Sequence, residues 1–138
     1  STSRGLGDVY KRQGGFRVMP SKRREGVTRM RYIVLSQRGS EIVIEKQEID
    51  YIERENRVTK FYLEGQMIEV AEKLADVQKY LDQDTFVRCH NSFIVNLEKI
   101  RSFGRSEFIL KNGKSVPISR SRYGEVRESF VRWTEIQE

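Results

Sequence analysis

The chain is poor in the residues that most enzyme and metal chemistry needs. It holds one cysteine, Cys89, and one histidine, His90, in 138 residues. A lone cysteine excludes an internal disulfide framework and a cysteine-rich zinc site. A lone histidine excludes a multi-histidine active site or metal centre. The longest uninterrupted apolar run is Tyr32-Ile-Val-Leu35, far short of the roughly 20 residues that span a bilayer. No stretch has the apolar h-region of a signal peptide. The expected setting is therefore cytoplasmic, with no membrane partner. There is no glycine-rich phosphate loop followed by Lys-Ser/Thr, and no nucleophile elbow. A hydrolase would have to combine His90 with Ser92 or Cys89. Neighbours in a strand point to opposite faces, so Cys89 and His90 make a poor pair, and no carboxylate in the segment orients the imidazole. No enzyme activity, metal or cofactor is expected.

What is present is one domain's worth of chain, at roughly 100–200 residues per domain. Its 37% hydrophobic and 33% charged residues suit a small domain with a thin core. The net charge of +6 gains meaning once it is located. Residues 1–30 carry eight Lys/Arg against two Asp/Glu, which accounts for all of it. Residues 31–84 carry eight against twelve, and residues 85–138 carry ten against six. The remainder is neutral with one basic half, so it can present a basic face to phosphates.

Residues 1–30 show no apolar period and no strand alternation, and they read as a disordered leader or linker. Eleven consecutive codons for Ser3–Gln13, SRGLGDVYKRQ, can be chosen to spell a string resembling a transposon-based sequencing adaptor. Residues 1–13 are accordingly expected to be adaptor read-through and are set aside. The basic cluster Lys22-Arg-Arg24 reads as solvated linker rather than a DNA-binding arm. The expected domain is 31–138.

From Tyr32 the texture changes. Tyr32–Leu35, Glu41–Glu45, Ile49–Glu53, Val58–Leu63 and Met67–Val70 are short β-branched and aromatic runs, divided by turns such as Gln37–Ser40 and Glu64–Gln66. Close spacing of such runs predicts antiparallel β-structure. Leu74, Val77 and Leu81 recur at helical spacing and predict one short amphipathic helix over Ala71–Leu81. Extended structure restarts at Phe86. Asn112-Gly113 predicts a type I′ hairpin turn. Pro117 marks its strand as an edge. Ser119 is a candidate N-cap for a last helix carrying Val126, Phe130 and Trp133.

Phe86–Asn96 is the most informative segment. Arg88, His90, Asn91, Ser92 and Asn96 interleave with the apolar Phe86, Phe93 and Val95. If extended, Arg88, His90 and Ser92 share a face and can donate to phosphate. Asn91 at a turn can reach a base edge, because an amide both donates and accepts. On chemistry alone a second reading stands beside this one: a capped turn in which Asn91 and Ser92 bond their own backbone.

The same segment resembles a known family, the LytTR DNA-binding domain of bacterial transcription regulators. The family pattern is close to F-x-R-x-H-x-S-x-x-V-N-x-x-x-I. It is met here by Phe86, Arg88, His90, Ser92, Val95, Asn96 and Ile100. Ile49-Asp-Tyr-Ile-Glu53 looks like the family's D-I-x-Y-I-E strand, and Lys111–Arg120 like its D-G-x-x-x-P-V-S-R ending. The resemblance covers roughly Tyr32 to Trp133.

It implies a mainly β fold: elongated antiparallel β-sheets with one short amphipathic helix and a C-terminal helix. It also implies double-stranded DNA binding through loops, two in successive major grooves and one in the intervening minor groove. By position, Asn91 falls in a base-reading loop beside Arg88, His90 and Ser92. Ser119 and Arg120 match the second major-groove contact, and Asn56 and Arg57 lie in the third loop. Asn91 stands where many members have Arg. Cys89, with no second cysteine, reads as buried packing. The implied partners are DNA with paired repeat sites, a second copy on that DNA, and an N-terminal receiver domain with its sensor kinase. Two-component and quorum-sensing pathways are the implied context. The alternative is a β-rich protein-interaction module that binds no DNA.

Overall fold

Residues 16–20 and 30–136 are described in the structure, a computed structural model. Among them, the β-branched runs become eleven strands in three antiparallel sheets. The first sheet joins β1 (Phe16–Pro20), β2 (Met30–Gln37) and β3 (Ser40–Glu45) in that order. The central sheet holds β4 (Ile49–Glu55), β5 (Val58–Leu63), β6 (Gln66–Val70), β7 (Phe86–His90) and β8 (Phe93–Asn96). Its strand order is β6-β5-β4-β8-β7. The third sheet orders β9 (Ile100–Phe103), β10 (Glu107–Leu110) and β11 (Ser115–Pro117) as β11-β10-β9, with Pro117 on an edge strand as predicted. Two helices complete the fold, α1 (Leu74–Gln78) and α2 (Tyr123–Ile136). Among the described residues no helix is long and apolar enough to cross a membrane.

Two cores sit on opposite faces of the central sheet, as strand alternation requires. Ile52, Phe61, Ile68, Phe86 and Ile94 face the first core, with Ile33 and Leu35 of β2 and Leu74 and Val77 of α1. Tyr51, Val87 and Val95 face the second, with Phe108, Leu110, Val116 and Val126. Phe103 stacks on Phe108 and Tyr123 and leans on Phe130, so aromatic contacts seat α2 on the third sheet. Asn96, fully buried, donates to the Ile49 carbonyl at 2.7 Å and accepts from the Glu98 amide at 2.9 Å. Its place in the motif is structural.

Several expectations are corrected. Phe16–Pro20, inside the stretch read as leader, forms β1 by pairing along β2 from Leu35 to Met30; the rest of residues 1–30 before Met30 lies outside the described residues. Helix α1 is shorter than Ala71–Leu81. Arg54 Nη1 binds the Ala71 and Glu72 carbonyls at 3.0 and 2.8 Å, and Lys73 is extended, so those residues do not join the helix.

Asn112-Gly113 is not a type I′ turn. Gly113 alone has positive φ, +92°, and closes a loop in which the Asn112 side chain accepts the Lys114 amide. The Gly113 amide bonds the Leu110 carbonyl, which is a type I turn followed by a left-handed glycine. The paired left-handed residues of type I′ turns occur instead at Arg38-Gly39 and Asn56-Arg57. Ser119 does not cap the last helix. A 3-10 turn, Arg120–Arg122, intervenes, and the Ser119 hydroxyl is buried without a partner.

Candidate nucleic-acid interface

Three polar loops meet at one end of the central sheet. The first is the tight β7–β8 turn, Asn91-Ser92, closed by His90 pairing with Phe93. Its strand does not alternate as the sequence suggests. Arg88 pairs with Ile94 and His90 with Phe93, so Cys89 is an extra, bulged residue. The bulge resets which side each residue faces. Cys89 is buried in the second core, and the His90 ring packs edge-on against Phe93 on that same side, 5.5 Å between centroids. Arg88 lies on the other side, where its Nη1 reaches Gln78 of α1. Arg88 and His90 therefore do not share a face, and Cys89 and His90 do not oppose one another.

Hydrogen bonds inside the turn give these residues definite tasks. His90 Nδ1 accepts the Ser92 amide at 3.0 Å. Arg88 donates to the Asn91 carbonyl at 2.7 Å and the His90 carbonyl at 3.3 Å. Burial, and then the neighbouring Arg122, lower the Arg88 pKa from its ordinary value. The turn is thus capped, but by the Arg88 and His90 side chains and not, as the capped-turn reading had it, by those of Asn91 and Ser92. Asn91 itself is exposed.

The second loop is Ser119–Arg122. The Ser119 amide binds the Cys89 carbonyl at 2.8 Å, which ties the loop to β7. Arg122 Nη2 then donates to Asn91 Oδ1 at 3.3 Å. Arg122 was not among the residues singled out from sequence; it stands two residues past the Ser-Arg match, and its partner lies 31 positions away. Arg120 is exposed, and among the described residues no ion pair engages it.

The third loop is the hairpin tip Asn56-Arg57, both residues exposed and left-handed, with φ of 54° and 66°. It projects just past the point where the Arg54 amide binds the Ser92 carbonyl at 2.8 Å. The acidic residues bordering it are engaged: Glu55 pairs with Lys60 at 3.0 Å, and Glu53 accepts from the Tyr62 hydroxyl at 3.3 Å. Among the described residues Arg57 has no such partner. All eight residues named from sequence thus fall at this end. Asn56, Arg57, Asn91 and Arg120 are exposed; Arg88, His90, Ser92 and Ser119 are partly covered. Among the described residues no group of three or more His, Cys, Asp or Glu is placed to hold a metal.

A β-scaffold that gathers arginine- and asparagine-bearing loops at one end carries side chains of the kind suited to nucleic acid. The chain belongs to the LytTr DNA-binding domain family, whose family model matches residues 39–130. It is similar to the sensory transduction protein LytT of Enterococcus faecalis, 27% identical over 93 residues, covering 64% of this chain and 38% of that protein. It is also similar to the transcriptional regulatory protein NatR of Bacillus subtilis, 30% identical over 71 residues, covering 51% of this chain and 30% of that protein. Each match thus spans well under half of the relative. Among solved structures it resembles the LytTr DNA-binding domain of a Bacillus cereus protein described as a methyl-accepting/DNA response regulator. That match has a TM-score of 0.63 and 27% identity, covering 71% of this chain and 94% of that one.

Proposed function

We propose that this chain binds double-stranded DNA sequence-specifically, as the output domain of a bacterial transcription regulator in the cytoplasm. The observation that carries the reading is the convergence of three polar loops at one end of the central sheet, with Arg57, Asn91 and Arg120 exposed on them. Arginine and asparagine are the side chains suited to base edges and phosphates.

The order of the loops supports an assignment of grooves. Along the sheet end the β4–β5 tip comes first, the β7–β8 turn next, and Ser119–Arg122 last, bonded to β7. The β7–β8 turn is in the middle and touches its neighbour through Asn91 and Arg122. A middle loop suits the intervening minor groove, and the outer two suit the flanking major grooves. This exchanges the grooves that the resemblance suggested for Asn91 and for the Asn56-Arg57 loop. Arg120, with Ser119, and Arg57, with Asn56, then read or clamp the major grooves. Asn91 and Ser92 enter between them, braced by Arg88 and His90.

The reading includes two copies on paired repeats. It also includes, in the regulator that such a domain serves, a receiver domain answering a sensor kinase. The test is selection from a randomised duplex pool. Enrichment of a defined two-part site supports the reading, and retention without enrichment overturns it. Heparin binding would not discriminate, because any basic face suffices.

A further inference from the structure

Asn91 is held twice. Arg88 fixes its main-chain carbonyl at 2.7 Å, and Arg122 donates to its side-chain oxygen at 3.3 Å. A guanidinium has donors only, so the atom facing Arg122 must be the amide oxygen. The amide nitrogen therefore points away from Arg122, and among the described residues no group engages it. Arg122 is itself held in place: its amide binds the Ser119 carbonyl at 3.1 Å, and the Ser119 amide is locked to Cys89. A free asparagine side chain can turn either end to a base. This one is restrained with its NH2 outward.

We propose that Arg122 is a positioning residue that makes Asn91 a donor-only reader and so sets its base preference. This rests on the DNA-binding reading above, with Asn91 in the minor groove. There A·T pairs offer only acceptors, adenine N3 and thymine O2, whereas G·C pairs add the guanine N2 donor. An outward NH2 group matches the first and meets the second donor to donor. Accommodating guanine N2 would require turning Oδ1 toward the base, which the bond from Arg122 opposes. The loop therefore selects A·T between the two outer contacts, although Asn91 carries a group capable of accepting from guanine.

The test is base selection with the whole chain and three variants, Arg122→Met, Asn91→Ala and the double variant. The wild type should favour A·T about tenfold at one central position, the scale of one good base contact. Arg122→Met frees the amide to rotate and should reduce that preference to below about twofold, beyond any general loss of affinity. In the Asn91→Ala background Arg122→Met should leave base preference unchanged. If Arg122→Met weakens every sequence alike and the A·T preference persists, Arg122 is a phosphate contact and the proposal fails. If the wild type enriches no site at all, the DNA-binding reading fails instead. A second measurement needs no DNA. The two Asn91 side-chain N–H resonances should shift in Arg122→Met, and unchanged resonances in a folded variant would overturn the contact.

Discussion

The imidazole of His90 accepts the Ser92 main-chain N–H at 3.0 Å and so closes the turn that displays Asn91. Asparagine makes the same bond from its own side chain to the amide two residues on. His90→Asn is therefore expected to keep both stability and DNA affinity. His90→Ala should lose about 1 kcal/mol of stability with the bond. Thermal melting and titration of a selected duplex would check this. Equal loss of affinity in both variants would show that the ring itself touches DNA.

Arg88 donates to two carbonyls of the same turn. Arg88→Met should lower stability by about 1.5 kcal/mol, the scale of hydrogen bonds from a charged group. Sequence alone suggested a phosphate contact, whose removal reduces the slope of log K against log salt by about one. With the guanidinium engaged by carbonyls, the slope is expected to stay nearly constant while discrimination falls. Salt titration of specific and random duplexes separates the two.

Arg57 has a φ of 66°, a left-handed conformation that glycine adopts freely and arginine does not. Arg57→Gly is expected to raise stability by up to about 1 kcal/mol. It should also weaken DNA binding and reduce the salt slope by about one. A stabilised variant with undiminished affinity would remove this hairpin from the interface.

Arg120→Ala should cost about 1–3 kcal/mol of binding and relax specificity at one position per half-site, if the side chain grips a guanine. Uniform weakening on every sequence would make it a phosphate contact only. Binding selections on the two proteins give the answer directly.

Burial pushes the Cys89 thiol from 9.0 up to about 12. The folded value is the raised one. Its contribution to stability is therefore fully present below the unfolded pKa and is lost as pH climbs through the window between the two. Tyr51, raised from 10.0 to about 12, acts in the same direction. Cys89→Ala should flatten the fall in melting temperature between about pH 9 and pH 11. Native Cys89 should also resist alkylation near neutral pH, and rapid native alkylation would contradict its burial.

The strands were readable because runs such as Val58–Leu63 combine β-branched residues with alternation, and the central motif lay in one unbroken segment. Other features depend on contacts between distant residues. The Asn56-Arg57 turn puts an arginine where propensity favours glycine. Asn112-Gly113 has the favoured pair, yet the Asn112 side chain takes the Lys114 amide and reshapes the loop. Arg122 has no motif of its own, and only folding brings it to Asn91. The five residues of β1 are a strand because β2 offers an edge, not because their own pattern announces one.

The extra residue at Cys89 makes the β7–β8 segment a matter of parity. Residues up to Arg88 follow one odd–even count and those from His90 onward follow the other, so the two halves are offset by one. Removing Cys89 itself would leave a regular ladder, with Arg88 still opposite Ile94 and His90 still opposite Phe93, at the cost of the side chain it buries in the second core. The extra residue thus lets Arg88 and His90 brace one turn from opposite faces although they stand two apart in sequence. A length change on either side of the bulge that breaks these pairings should be more damaging than most substitutions.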